Sequence, residues 1–406
     1  MRSHRRTPGR LGLYYDGPGR LVESEEGTRL APIPTDLPFL TFACAVAREF
    51  DSLTVFARAR RADGEVAGHL LPASVDIVAL PFYESMIDAR GVLRATPGSV
   101  RAFWRGLERV DAVWIDGPHP YALFFVPLAV ARRKTVVLGV RQDTMTYYRA
   151  RLRGGRGRPS LLLAWTWDLG FRTLARFLKV TVVGDDLVRQ YGGQRPKLLR
   201  MTVSQLPEAD VVRAPIPRDW SGTITLLTVG RIDAEKNPLL LVEAFARLEE
   251  EHSGRFQLVW AGTGPLADAV ARHAEELGVR DRIELLGHVL FGPELLERYR
   301  SAHLFVHVSL TEGMPATIIE AQGNALPIVA TAVGGVPSAL GDGEAGILVP
   351  PSDLDALVAA ILRLTEDAEL RERVVERGLE LADGYTLEST SARVARFIRG
   401  EADGAS

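Results

Sequence analysis

The sequence predicts an α/β protein built on parallel sheets and arranged as two successive domains. Short apolar segments alternate with amphipathic segments of helical period through nearly the whole chain, which is the pattern of repeated βα units. A proline-containing stretch, residues 204–221, separates a first series from a second and is typical of a linker. A chain of 406 residues is long enough for two or three domains, each with its own core.

The first series contains six short runs with the composition of buried strands, namely Gly12–Tyr15, Ser52–Ala57, Ile77–Leu80, Ala112–Ile115, Thr135–Gly139 and Val180–Val183. Helical segments lie between them, among them Leu37–Phe50, Ser99–Glu108 and Pro159–Leu178. The last is apolar and holds Trp165 and Trp167, but Asp168 and two arginines interrupt it. This favours a half-buried helix over a membrane element. The segment Arg149–Arg158 carries five arginines and three glycines and is predicted to be a basic loop.

The second series contains five predicted strands, namely Ile224–Val229, Phe256–Ala261, Ile283–Leu286, Leu304–His307 and Ile328–Thr331. Its predicted helices are Pro238–Glu250, Pro265–Leu277, Gly292–Ala302, Ala316–Asn324 and Leu354–Thr365. A final helix over Leu387–Gly400 follows the second sheet and is free to return to the first domain. We therefore place the domains at residues 1–215 and 216–385, with residues 386–406 as the returning helix and tail.

Composition and charge narrow the class of protein. The hydrophobic fraction is 46% and the charged fraction 25%, as in an ordinary globular protein. No apolar run reaches the roughly 18 residues that would span a bilayer. Met1–Arg10 is basic and polar, and the apolar core of a signal peptide is not expected after it. The single cysteine, Cys44, forms no disulfide within the chain and is expected to be a small core residue. We expect a cytoplasmic protein.

The charges are distributed unevenly along the chain. Residues 1–215 carry 32 Lys and Arg against 21 Asp and Glu, a net charge of +11, and the remainder carries −13. A basic N-terminal half fits an anionic acceptor or anionic lipid headgroups at the inner membrane face. Attraction between the two halves, or an arginine-rich composition alone, would explain the same asymmetry.

The segment TVGRIDAEKN, residues 228–237, is a strand end followed by a loop and a helix start. Gly230 closes the strand, and Arg231 and Lys236 lie on the loop at its carboxyl end, where ligands bind in open α/β sheets. Arg offers a planar fork and Lys a point charge, so the pair is suited to two phosphates. Two solvated loop cations would give the same pattern.

The segment TEGMPATIIEAQ, residues 311–322, places two glutamates around a second helix start. Glu312 lies in the loop after a strand and Glu320 lies eight residues further on. Backbone N–H groups at the start of a helix attract an anion, whereas carboxylates at the same place are suited to neutral sugar hydroxyls. An exposed glutamate near a helix start is also common simply because the helix dipole favours a negative charge there.

Three glycine-containing turns follow other strands of the second series: VWAGTGP with Gly262, LLGHV ending at Val289, and AVGGVP. The first lacks the third glycine of a dinucleotide fingerprint, since position 267 is alanine. A nicotinamide oxidoreductase is therefore disfavoured.

Together these motifs resemble the large retaining glycosyltransferase family 4, glycosyl transferases group 1, of the GT-B fold. The stretches VGRIDAEKN, AGTGPL, LLGHV, SLTEGMPATIIEAQGNALPIVATAVGGVPSAL and GILVPP cover about residues 225–364 in the order of the family. The N-terminal half resembles it mainly in topology. The resemblance implies two Rossmann-like domains facing each other across a cleft, with the C-terminal helix crossing back.

The resemblance also implies roles for individual residues. Arg231 and Lys236 would grip the donor diphosphate, and Glu320 would hold the ribose. Glu312 would lie at the donor sugar as a candidate catalytic residue, either as a carboxylate nucleophile or, as its position favours, by binding sugar hydroxyls. The remaining donor-binding positions that it implies, through backbone atoms, are Gly230, Gly262, Val289, Gly313, Met314 and Ala316.

His119 is the position in the first half that matches an active-site histidine of the family. It follows the predicted strand 112–115 in AVWIDGPHPY, although the surrounding residues differ. The family usually has a glycine pair in its first strand–helix loop, and PTDLP at residues 34–38 lacks it. Arg141 and Asp143 after another strand are candidates for acceptor binding, or could equally cap a helix. No Asp-x-Asp or Cys/His cluster indicates a metal.

The resemblance implies transfer of a sugar from a nucleoside diphosphate, UDP or GDP, to an acceptor hydroxyl, with retained configuration and no metal. The acceptor is expected to be anionic or lipid-linked, and we expect no nucleic-acid partner. Two alternatives remain open: a sugar-nucleotide epimerase of the same fold, and a non-catalytic GT-B subunit that scaffolds a partner.

Overall fold

The structure, a computed structural model, describes residues 8–24, 27–33, 36–62, 69–84, 88–141, 158–193 and 195–401. The chain divides into two compact units, Met1–Val203 with Thr390–Ser406, and Ser204–Ser389. The sequence pattern predicts divisions after residues 215 and 385 instead. Residues 204–215 join the second unit because they bond to it: the Val212 N–H donates to the carbonyl of Gly323 at 2.8 Å, and Arg213 pairs with Asp383 at 3.1 Å.

Unit 1 is an eight-stranded sheet with helices packed against it. Its strands are β1 (Arg10–Ser24), β2 (Gly27–Pro32), β3 (Ser52–Arg61), β4 (Val75–Leu80), β5 (Ala112–Gly117), β6 (Thr135–Val140), β7 (Lys179–Val183) and β8 (Leu198–Met201). The order is β4-β3-β1-β5-β6-β7-β8, all parallel, and β2 adds to β1 as an antiparallel partner. The helices are α1 (Leu37–Ala47), α2 (Ala89–Gly106), α3 (Pro120–Ala131), α4 (Arg158–Ala175) and α5 (Asp185–Gln190).

Unit 2 is a six-stranded, wholly parallel sheet. Its strands are β9 (Ile224–Val229), β10 (Phe256–Ala261), β11 (Ile283–Gly287), β12 (Leu304–His307), β13 (Ile328–Thr331) and β14 (Ile347–Val349). The order β11-β10-β9-β12-β13-β14 is that of a doubly wound Rossmann sheet. The helices are α6 (Pro238–Glu251), α7 (Ala267–Glu276), α8 (Pro293–Ser301), α9 (Ala316–Gly323), α10 (Val336–Ala339), α11 (Leu354–Glu366) and α12 (Ala368–Asp383).

The strands are buried because helices cover them, and this explains their near-continuous apolar sequences. In unit 2 the core gathers strand residues such as Leu226 and Leu258 with helix residues such as Phe245 and Ile361, all fully buried. In unit 1 Phe103 and Phe125, from α2 and α3, stack with ring centroids 4.0 Å apart beneath the sheet. Each unit therefore has its own hydrophobic core.

The last helix, α13 (Leu387–Arg399), begins in unit 2, and from Thr390 onward its residues belong to unit 1. Within unit 1 the Lys179 ammonium donates to the carbonyl of Phe397 at 2.6 Å. The Lys179 nitrogen also lies 5.2 Å from the centroid of the Phe397 ring. The chain thus passes back into the unit where it began.

Both sheets reverse their strand order next to their first strand, and this point positions the candidate sites. In unit 2 the reversal lies between β9 and β12, and in unit 1 between β1 and β5. Successive crossovers leave in opposite directions there, so the loops at the carboxyl ends separate and leave room for a ligand. These four strands and the segments that follow them hold most of the chemistry described below.

Candidate active site

The carboxyl edge of the unit 2 sheet is built from loops whose backbones touch. The Gly230 N–H donates to the carbonyl of Ala261 at 3.0 Å, so the loop after β9 lies directly on the loop after β10. A Cβ placed on Gly262 would lie 1.8 Å from the carbonyl oxygen of Gly230. The glycine is therefore required for this close approach, and Gly230 and Gly262 are brought together.

Lys236 and Glu312 meet at the reversal point between β9 and β12. The Lys236 ammonium forms an ion pair with Oε1 of Glu312, and the side chains are only 22% and 11% exposed. Two further groups bond to the same oxygen: Nε2 of His307 at 2.8 Å and Oγ of Ser309 at 2.7 Å. Within the part of the chain that the structure describes, Oε2 of Glu312 accepts no hydrogen bond, so this oxygen is available to a ligand.

Glu312 is held as a carboxylate. Burial by itself would raise its pKa, but the hydrogen bond from His307 and the charge of Lys236 outweigh burial, and the pKa lies well below its ordinary value. Glu312 is therefore ionised over the physiological range and can only accept hydrogen bonds.

Arg231 lies on the same loop but pairs with its own neighbours. Its guanidinium contacts Asp233 at 2.8 Å and Glu235 at 2.9 Å, and its side chain is 63% exposed. Asp233 also caps the short helical turn at residues 234–236 by accepting from the Lys236 N–H. The structure thus joins Lys236 to Glu312 and leaves Arg231 at the rim.

The start of α9 follows Glu312 and is supported from below by a glycine pair. A Cβ on Gly334 would lie 1.8 Å from the carbonyl oxygen of Glu312, and one on Gly335 would lie 2.0 Å from that of Gly313. The α9 helix begins at Ala316, directly after Pro315, whose side chain has no polar atom to cap the first N–H groups. Those N–H groups form a positive helix end.

Met314 is buried beneath this helix start, with 9% of its side chain exposed, and Gly313 is exposed. Glu320, one turn further along α9, is also buried, and its Oε2 accepts from the Tyr299 hydroxyl at 2.8 Å. Burial raises the pKa of Glu320 to about 7, and the hydrogen bond from Tyr299 offsets only part of this. Val289 lies in the loop after β11, half-buried, away from the contacts described above.

In unit 1, His119 lies at the reversal point between β1 and β5. It caps α3, since its Nδ1 accepts from the Tyr121 N–H at 3.1 Å. Its Nε2 lies 2.9 Å from Oδ1 of Asp16, and only 6% of the side chain is exposed. Because Nδ1 accepts a hydrogen bond, the proton of the neutral ring is on Nε2 and faces Asp16.

Asp16 is the centre of a buried polar network around His119. The Tyr83 hydroxyl donates to it at 2.5 Å and the Tyr14 hydroxyl at 3.2 Å. Arg58, 8% exposed, donates to the Asp16 carbonyl at 2.6 Å. Burial would raise the pKa of Asp16, but His119 and Arg58 outweigh burial and lower it.

Arg141 forms a two-pronged ion pair with Asp116 at the end of β5, with its closest contact at 2.6 Å, and its guanidinium lies 4.0 Å from the Phe39 ring centroid. These contacts hold Arg141 at the carboxyl end of β5. Asp143 lies outside the described residues, and so does most of the predicted basic loop at residues 149–158.

Several residues of these sites escaped the sequence analysis, although some carried a signal. His307 ends β12 at its reversal point, a position that marks ligand-binding side chains. Asp16 directly follows the predicted strand 12–15, and in the structure it lies within β1, where the pairing with β3 shifts register between Tyr15 and Gly19. Tyr83 and Arg58 lie far from Asp16 in the sequence, and Tyr299 lies far from Glu320. No local pattern therefore pointed to them.

Within the described ranges, no group of three or more His, Cys, Asp or Glu side chains is placed to hold a metal ion. No helix in the same ranges is both long and apolar enough to cross a bilayer.

The two Rossmann-like units, each with a parallel sheet, give the chain the GT-B fold of known glycosyltransferase structures. It is similar to WaaG, a glycosyltransferase of lipopolysaccharide biosynthesis, with a TM-score of 0.67 and 16% identity over 96% of this chain and 99% of the other. It is also similar to Anabaena HepE in complex with UDP, with a TM-score of 0.66 and 15% identity over 95% and 98% of the two chains. At such identities the likeness concerns the fold.

Residues 218–380, which form most of unit 2, match the family model of glycosyl transferases group 1. A D-inositol 3-phosphate glycosyltransferase of Corynebacterium glutamicum (strain R) is 34% identical over 172 residues, which are 41% of this chain and 41% of that protein. The match therefore spans less than half of the length of this curated relative.

Proposed function

We propose that the protein is a retaining glycosyltransferase of family 4, in group 1, that moves a sugar from a nucleoside diphosphate sugar to an acceptor hydroxyl. The observation that carries the proposal is the meeting of Lys236, Glu312 and the start of α9 at the reversal point of a Rossmann sheet. A cation and a helix N-terminus are suited to a diphosphate, and a carboxylate is suited to the hydroxyls of the attached sugar. The match of residues 218–380 to glycosyl transferases group 1 supports the same activity.

The donor diphosphate would lie between Lys236 and the first N–H groups of α9, with Gly313 and Ala316 approaching through their backbones. Arg231, exposed at the rim, would turn from Asp233 and Glu235 to a phosphate when the donor binds. The free Oε2 of Glu312 would accept from hydroxyls of the donor sugar, since an ionised carboxylate only accepts.

Glu320 would hold the two ribose hydroxyls, and Val289 would lie beside the base. Because the pKa of Glu320 is about 7 in the free protein, two donated hydrogen bonds from ribose would favour its ionised form. HepE was solved in complex with UDP and with UDP-glucose, which makes UDP the first donor nucleotide to test, with GDP second.

In the transfer step the bond between the anomeric carbon and the phosphate oxygen breaks and its electron pair goes to the diphosphate. The acceptor oxygen then bonds to the anomeric carbon on the same face, and its proton passes to a phosphate oxygen of the leaving group. Lys236 and the α9 amides would stabilise the leaving charge, and preorganised groups of this kind contribute about 3–4 kcal/mol each. These charges replace a divalent metal in the proposal.

His119 would contribute from unit 1, with its orientation fixed by Asp16. The predicted contribution of Arg141 and Asp143 to acceptor binding stays a proposal, as do an anionic or lipid-linked acceptor and a cytoplasmic location. The relatives described above are transferases and give no support to the epimerase alternative. A non-catalytic scaffold subunit would not need Lys236, Glu312 and the start of α9 to meet at one point.

The test compares Lys236→Ala with Arg247→Ala, a surface cation on α6 that pairs with Asp355. We expect UDP- or GDP-sugar turnover to fall at least a hundredfold in Lys236→Ala, because one leaving-group contact of about 3 kcal/mol is lost. Arg247→Ala should match the wild type. Full activity in Lys236→Ala and Glu320→Ala together would refute the site assignment, and isomerised donor without transfer would refute the reaction.

A further inference from the structure

The exposed Phe and Trp side chains in the described part of the chain are Phe124, Trp165 and Phe177, and all three lie in or next to α3 and α4 of unit 1. Their exposed fractions are 51%, 50% and 71%. Single exposed hydrophobic residues are ordinary, whereas several on adjacent elements mark an interaction surface.

The two helices pack side by side. A Cβ placed on Gly170 of α4 would lie 3.0 Å from a methyl group of Leu123 in α3. On α4, Trp165 and Leu169 are four residues apart and so share one exposed face. On α3, Phe124 and Val130 lie on exposed positions of the neighbouring helix. The surface formed by these residues and Phe177 is called the apolar face below.

The apolar face continues into a basic groove at the amino ends of the strands. Val130 and Phe177 line this groove together with five cations, Arg10, Arg133, Lys134, Lys179 and Lys197. Its acidic members are Asp51 and Asp111, and Asp111 is paired with Arg10 at 2.9 Å. The groove therefore carries an excess of positive charge directly beside exposed aromatic and aliphatic groups.

Acidic side chains are missing from the apolar face itself. The sequence of α3, PYALFFVPLAVA, contains no charged residue. The acid of α4, Asp168, is buried and paired with Arg172 at 2.5 Å. Neither helix therefore presents an exposed acidic side chain to a negatively charged surface.

We propose that the apolar face and the basic groove dock unit 1 onto an anionic lipid surface. Exposed aromatic and aliphatic side chains would enter the boundary between headgroups and acyl chains, and lysines and arginines at the rim would contact phosphate groups. A soluble acidic protein would pair with the cations but would leave the aromatic side chains unexplained, and an apolar protein partner would leave the cations unexplained. The combination is the chemistry of a membrane interface.

The position of the surface is compatible with activity. Helices α3 and α4 run antiparallel to the strands, so their last residues and the groove lie at the amino edge of the sheet, where β6 and β7 begin. Asp16 and His119 lie towards the opposite, carboxyl edge. Docking would leave that edge open. The proposal needs no donor, so its test is independent of the transfer reaction.

The experiment is sedimentation of the full chain with vesicles of phosphatidylcholine alone or with 30% phosphatidylglycerol added, a fraction set on the order of that in an anionic membrane. We expect binding to the anionic vesicles and little to the neutral ones, with weakening at high salt because charge attraction is screened. Phe177→Ser should reduce the partition coefficient about tenfold, whereas Leu277→Ser, an exposed leucine of unit 2, should not. Arg133→Glu with Lys197→Glu should abolish binding, because the two changes reverse two of the charges that line the groove.

The matched charge control is Arg272→Glu with Arg373→Glu, which changes the net charge equally on exposed positions of unit 2. Equal loss in this control would mean that total charge, rather than the groove, governs binding and would overturn the proposal. Equal binding to neutral and anionic vesicles, or none to either, would also overturn it. Thermal stabilisation by inorganic phosphate without vesicle binding would assign the groove to a soluble anion instead. Variants are compared only where their thermal transitions match the wild type.

Discussion

Glu320 is a buried carboxyl group in α9, and replacing it with glutamine should stabilise the protein increasingly as pH rises from about 4.5 to 7 and above. Glutamine keeps the shape and can still accept from the Tyr299 hydroxyl, but it has no charge to bury. In the folded protein burial raises the pKa of Glu320 from 4.5 to about 7. In the unfolded chain the group returns to its ordinary value.

The sign follows from proton linkage. Below pH 4.5 the carboxyl group is protonated in both states, and its contribution to stability is fully present. As pH rises towards and through 7, the unfolded chain ionises first, so the free energy of unfolding falls. Since one pKa unit is worth about 1.4 kcal/mol, the rise to about 7 amounts to roughly 3 kcal/mol at pH 8.

The assay is urea denaturation of the wild type and Glu320→Gln at pH 4.5 and pH 8, with the difference in unfolding free energy taken at each pH. Other titrating groups cancel in this difference because they are common to both proteins. We expect the advantage of the variant to grow by about 3 kcal/mol between the two pH values. A difference that does not change with pH would refute the argument from burial.

Three further outcomes follow from the geometry. Donor affinity, measured by calorimetry, should rise between pH 6 and 8 in the wild type and stay flat in Glu320→Gln, because the ionised carboxylate is the better acceptor for ribose hydroxyls. Gly334→Ala should weaken donor binding at least tenfold, since its Cβ would displace the backbone of Glu312 and Gly334 has φ +52°. Asp16→Asn should lower kcat about tenfold or more with unchanged donor affinity, because it removes the charge that orients His119.

Matched variants separate these effects from general damage. Gly254→Ala carries the same strain, with φ +77°, but has open space around its Cβ, so it should bind donor normally. Asp111→Asn breaks the pair with Arg10 at the amino edge of unit 1 and should leave kcat unchanged. If Gly254→Ala lost donor as Gly334→Ala does, backbone strain rather than contact with Glu312 would be the cause. A normal kcat in Asp16→Asn would remove His119 orientation from the mechanism.

Many elements could be predicted because their signals are local. The strands 224–229, 256–261, 304–307 and 328–331 lie where their apolar runs predict them. Buried parallel strands are marked by continuous apolar residues whatever lies around them. The sequence analysis missed the short edge strands β8 and β14 and the highly charged helix α12. Their apolar patterns are weaker than those of the buried strands.

The sequence by itself determined that two Rossmann-like domains form, and that glycines and charged residues gather at strand ends of the second. Those properties depend on spacing within a few residues, where φ, side-chain period and turn chemistry act directly. Only the tertiary structure decided which side chains meet. Lys236 reaches Glu312, 76 residues away, while Arg231 on the same loop turns to its neighbours. Such pairs depend on strand order and on burial. A buried charge is costly unless it is paired, and the fold decides which residues lie near enough to pair with it.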